Sequence, residues 1–180
     1  MGDTPVRIYT AWAEENFYVA FKVGGVDTQG MLNTSNMVNY QFRRAWGEDL
    51  CQILIQGVFD GNTLGPTLHV VCKRNAPWVE RKEAGAVGDE AWHSWDGSAV
   101  RYAARIDPTT GDWRGEVAIP WTAICPPGRT RPPLLRFNFI QHQAKGGQTT
   151  SWAGPIDFGR DDRMMGILSL QESRTPGMGP

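Results

Sequence analysis

Residues 112–121 read Asp-Trp-Arg-Gly-Glu-Val-Ala-Ile-Pro-Trp, and no other stretch restricts the fold of this chain as strongly. Trp113, Gly115, Val117 and Ile119 fall on one face of an extended segment, with Arg114, Glu116 and Ala118 on the other. That period of two belongs to a half-buried strand. Pro120 has no N–H for a sheet ladder and ends it. Trp121 follows at the mouth of a short turn over residues 121–124, where a large ring closes one end of a core. The stretch is a structural device that speaks of fold before function.

The same alternation recurs along the chain. Residues 6–12 and 17–23 read as two strands joined by a polar connection, with Phe17, Val19, Phe21 and Val23 on one core face. Residues 24–48 form a long loop rich in Gly, Asn, Thr, Ser and Met, of the kind that often carries function. Residues 49–56 make the next strand, with Cys51, Ile53 and Ile55 on one side and Gln52 looking out on the other. Asp60-Gly61-Asn62 is a turn, residues 67–73 and 78–82 form another strand pair, and an irregular segment carrying Trp92 and Trp95 follows. Residues 100–106 form a hairpin with the opening stretch through the turn at 107–112. In the strand over 135–142, Phe137, Phe139 and Gln141 alternate with Arg136, Asn138, Ile140 and His142. A turn-rich return over 151–159, a closing strand over 165–170 and a tail complete the chain.

The 21 glycines and 12 prolines fit many short elements, and helical periodicity is almost absent. The expected fold is all-β: one antiparallel β-sandwich of immunoglobulin or jelly-roll type over residues 1–171, with a tail over 172–180. A closed barrel is the alternative.

Charge narrows the partners. The 18 basic and 19 acidic residues leave a net charge of −1, which gives no long-range attraction to nucleic acid. No run approaches the ~20 apolar residues of a membrane span. Cys51, Cys72 and Cys125 cannot all pair, form no CxxC motif, and read as buried thiols where they lie in strand patterns. Eight tryptophans exceed what a core of this size needs. Trp12, Trp113 and Trp121 lie in strong strand patterns and read as core.

The blocks at residues 12–23, 46–55, 115–121 and 136–139, with Ser151-Trp152 and Phe158-Gly159, resemble the family 9 carbohydrate-binding modules and their wider sandwich superfamily. The resemblance runs from about residue 8 to residue 170, and its most specific part is the block at 116–121. It implies a β-sandwich that holds a sugar, often a chain end, between two aromatic rings, with structural calcium in some members. Trp152 matches the later ring through its Ser-Trp context, and Trp46 or Phe42 the earlier one. Gln52 stands where the family pattern usually has an acid, and the Asp-Gly segment that typically opens the family is absent. That absence implies an N-terminal edge that is trimmed or completed by something else.

A sugar ring presents apolar C–H faces and a rim of hydroxyls, so its binder needs a flat aromatic surface with amide, carboxylate or guanidinium groups at the edge. Trp152, Trp46, Phe42, Gln141, Glu48, Arg136, Gln52 and His142 supply that inventory. Asp107 and Asp112, and Asp157 and Asp161, offer oxygen ligands for calcium, with plain turns as the other reading. No histidine spacing matches a metal motif, and no phosphate loop, nucleophile elbow or distinctive carboxylate pair marks an active site. The expectation is a non-catalytic carbohydrate-binding domain that works extracellularly or in a periplasm. Two alternatives stand beside it: a haem-binding electron-transfer sandwich, with His142 and a methionine or lysine as axial ligands, and an interaction module of a larger extracellular protein.

Overall fold

In chain order the strands are β1 (Val6–Trp12), β2 (Asn16–Val23), β3 (Leu50–Val58), β4 (Leu64–Cys72), β5 (Pro77–Lys82), β6 (His93–Ser94), β7 (Arg101–Ile106), β8 (Trp113–Pro120), β9 (Leu134–Gln143), β10 (Gln148–Ser151) and β11 (Gly166–Ser169), and one helical turn, α1 (Trp121–Ile124), follows β8. The structure is a computed structural model that describes residues 6–26, 49–74, 76–143, 147–154 and 162–170. The tail expected over 172–180 lies outside the described residues.

The strands form two antiparallel sheets, and the fold is a β-sandwich. The smaller has the order β1-β2-β8-β7. The larger runs β10-β9-β3-β4-β5-β6, and β11 shares the outer edge of β9 with β10. The stretch over residues 112–121 thus supplies an inner strand, β8, with Phe21 directly opposite Gly115 and Val19 opposite Val117.

The apolar faces meet between the sheets. Phe17 reaches Phe137 across the sandwich at 6.1 Å between ring centroids, and Phe21 reaches Phe139 at 5.5 Å. Trp113 packs edge-on against Phe21 at 5.1 Å, and Trp113 is buried as its pattern requires. Gly115 makes this packing possible, since a Cβ there would stand 2.3 Å from the Phe21 ring. Cys51 and Cys72, opposite one another on β3 and β4, are free, fully buried thiols whose ionisation burial opposes. That matches their reading as packed side chains.

Trp121 closes one end of this core. Its ring lies 6.0 Å from Phe17, and its indole Nε1–H donates to the Ala13 carbonyl at 2.9 Å, tying α1 to the β1–β2 connection. Trp121→Phe removes the bond and part of a buried ring, so a loss of at least about 1 kcal/mol in urea unfolding is expected. An unchanged midpoint would show that the bond adds nothing to the anchor.

Two elements differ from their sequence expectation. β3 was expected to show one apolar and one outward side, but both of its faces are buried over nearly its whole length. It is the central strand of a sheet covered on both sides, which suits a near-continuous apolar run. β10 falls between the strand expected over 135–142 and the turn-rich return expected over 151–159, where the sequence suggests no element; Gln148-Thr149-Thr150-Ser151 carries no apolar alternation and pairs with the polar end of β9.

Candidate functional site

On the face of the larger sheet that points away from the sandwich core, the strand pairings align Asn138, Leu54, His69 and Glu80 in one row and Arg136, Gln56, Thr67 and Lys82 in the next. Alternation alone would make these a solvent face. Instead, Asn138, His69, Gln56, Thr67, Glu80 and Lys82 are all buried. Trp92 is one reason: it leaves the irregular segment before β6 and packs with Leu54 and Ile140 on this face.

The polar groups here satisfy one another. His69 Nε2 donates to Gln52 Oε1 at 2.8 Å, and His69 Nδ1 lies 3.2 Å from the Glu80 carboxylate. The Trp92 ring stands edge-on to His69 at 5.8 Å, and the Lys82 ammonium sits 5.1 Å from its centroid. Lys82 also donates to Asp162 at 2.6 Å. Arg136 donates to Gln56 Oε1 at 2.7 Å and to the Asp162 carbonyl. Gln52, expected to look out of the sheet, is therefore only 2% exposed and engaged with His69. Sequence reading assigned no role to His69, Glu80, Lys82 or Trp92, because none stands in a motif and only strand register brings them together.

Trp152 occupies a different place. Its backbone N–H donates to the Phe139 carbonyl at 2.9 Å, continuing the β10 register along the edge of β9. Its ring packs edge-on against the core residue Phe137 at 5.7 Å and lies across Gly166 of β11, where an added Cβ would come within 2.5 Å of the indole. Asn138 fixes the turn beneath it. The Asn138 Oδ1 accepts from Ser151 Oγ at 2.9 Å and from Ala153 N at 3.0 Å, while its Nδ2 donates to the Met164 carbonyl at 2.7 Å. The indole is thus held from behind and beneath, yet 48% of the residue remains exposed.

The other candidates are spread around this edge. Gln141 and His142 are buried, with Gln141 Oε1 accepting from Thr150 Oγ1 at 3.3 Å and His142 Nδ1 lying 3.0 Å from Thr149 Oγ1. Gln141 points to the core side, in register with Cys51, whereas His142, Gln52 and Arg136 share the opposite face. Phe42, Trp46 and Glu48 lie outside the described residues, as do Asp157 and Asp161.

Asp107 and Asp112 flank the β7–β8 turn. Asp107 accepts from the Thr109 and Thr110 amides at 2.9 and 3.3 Å, and these bonds hold its carboxyl below the usual carboxylate range. Asp112 is held low chiefly by the Lys22 ammonium, 2.7 Å away. A turn cap and an ion pair already engage these carboxylates, and among the described residues no group of three or more His, Cys, Asp or Glu side chains gathers as a metal site.

No family model and no curated protein matches the chain. Among solved structures, the chain is similar to a family 9 carbohydrate-binding module from Caldicellulosiruptor kristjanssonii in complex with cellotriose, at 14% sequence identity and a TM-score of 0.49, over 100% of this chain and 82% of that one.

Proposed function

We propose that this protein is a non-catalytic carbohydrate-binding domain whose aromatic platform is Trp152. One observation carries the reading: a large indole is locked by Phe137, Gly166 and the Asn138 hydrogen bonds, yet left half open to solvent. A tryptophan needed only for packing would gain by turning fully inward, since each buried Å² of apolar surface is worth about 25 cal/mol. A rigid exposed ring is what the apolar C–H face of a pyranose requires, and little ordering cost remains to be met on binding. Such a domain works where polysaccharide is met, outside the cytoplasm.

The test is a glycan array followed by calorimetry on the strongest soluble oligosaccharide. Trp152→Ala is expected to weaken binding at least about tenfold, with Trp152→Phe retaining part of it. A wild type that binds no glycan, or a Trp152→Ala variant that binds equally well, would refute the assignment.

A further inference from the structure

The smaller sheet carries a second surface that the Trp152 platform does not use. The pairings of β1, β2, β8 and β7 align Arg7, Lys22, Arg114 and Arg105 in a single row, one cation from each strand. Neighbouring strands lie about 4.8 Å apart, so the row crosses the sheet over about 14 Å. The next row along the same face is Tyr9, Ala20, Glu116 and Ala103. Its small residues leave an open groove of about 610 Å³ beside the cations. Tyr9, 57% exposed, stands at the β1 end of that row.

Like charges directly opposite one another across strands destabilise a sheet. Lys22 is balanced by Asp112 at 2.7 Å and Arg114 acts favourably on the Asp107 and Asp112 carboxylates, whereas Arg7 and Arg105 form no ion pair among the described residues. The exposed guanidinium groups of the row offer donors to an anion laid along it. Guanidinium groups are suited to this, since their planar donors match a carboxylate in bidentate fashion.

We propose that this groove binds an acidic polysaccharide, with its sugar carboxylates on Lys22, Arg114 and Arg105 and its rings over Ala20 and Ala103. Two features favour a carboxylated sugar over a phosphate polymer. Glu116 stands in the middle of the groove, where it repels dense phosphate charge but accepts hydrogen bonds from sugar hydroxyls. On either side of Glu116 the floor is formed by the small residues Ala20 and Ala103, with a tyrosine ring at its end, which a sugar face uses and a phosphate does not. The whole chain carries a net charge of −1, so the positive stripe acts by contact rather than by a general field. The inference shares only its broad ligand class with the Trp152 reading, and the two surfaces belong to different sheets, so either can fail alone.

The experiment is calorimetry at low salt with three probes: a linear oligogalacturonate, its carboxyl-reduced neutral counterpart, and inorganic polyphosphate. The oligogalacturonate should bind, the neutral counterpart should bind at least about tenfold more weakly, and rising salt should weaken the acidic ligand. Arg105→Ala/Arg114→Ala should lower oligogalacturonate affinity at least about tenfold, whereas Trp152→Ala should leave it unchanged. These arginines are exposed, so the thermal midpoint of the variant should change little. Absence of oligogalacturonate binding, polyphosphate binding of equal or greater strength, or a loss caused by Trp152→Ala and not by the arginine variant would each overturn the proposal.

Discussion

Gly65→Ala is expected to lower the free energy of unfolding by about 3 kcal/mol, near the upper end of what overpacking one methyl group costs. The reason lies in what the new Cβ would meet. It would stand 2.1 Å from the Ile124 carbonyl oxygen and 3.2 Å from the carbon behind it, with Phe59 at 3.4 Å on another side. Ile124 ends α1, and that turn is fastened at its start by the Trp121 bonds to Ala13 and Glu15. The same carbonyl also lies 2.9 Å from where a Cβ on Gly57 would sit, so two adjacent strands are bare of side chain at the point where α1 rests. Gly115→Ala offers the contrast: its obstacle, 2.3 Å from the new Cβ, is the ring of Phe21, a side chain that must be pushed against Trp113 and Phe139, whereas at Gly65 the obstacle is backbone. Urea unfolding should therefore show Gly65→Ala as the more damaging of the two. A cost below about 1 kcal/mol at Gly65 would show that α1 slides freely and is not the fixed end-plug of the sandwich.

What the sequence makes legible follows the range of the interactions involved. The β2 and β8 faces are set by each residue's own alternation, and Phe17, Val19, Phe21, Trp113, Val117 and Ile119 are buried as that alternation predicts. The outer face of the larger sheet obeys the same alternation and yet is covered, because Trp92 arrives from a segment with no periodicity of its own. That is why Gln52 reads as outward-looking and is instead the partner of His69, 17 residues away. Trp152 is singled out by the family resemblance of its Ser-Trp context, but its packing depends on Phe137 and Gly166, which only the β9 pairings bring beside it. The cationic row is still less visible, since Arg7, Lys22, Arg114 and Arg105 come from four strands and become neighbours only through register.

The buried polar row gives the second large effect. His69→Leu should cost about 3 kcal/mol, because it takes the imidazole from between Gln52 and Glu80 and leaves the buried Gln52 amide oxygen and Glu80 carboxylate facing an apolar side chain. Glu80→Leu should cost a similar amount, since Glu80 is 5% exposed and its carboxylate faces the ring at 3.2 Å. The two losses should not add. With both residues apolar no charge of the pair is left buried and unmatched, and Trp92 already supplies an apolar neighbour on the same face. The double variant is therefore expected to recover at least about 1 kcal/mol relative to the sum of the singles. Urea unfolding of the four proteins closes the cycle. Additivity within about 0.5 kcal/mol would mean that the two residues are buried side by side without depending on one another. Non-additivity would identify the row as a specificity device: it adds little net stability over an apolar pair but penalises a slip of β4 against β5, which would part His69 from Glu80 and turn one of them to the core side.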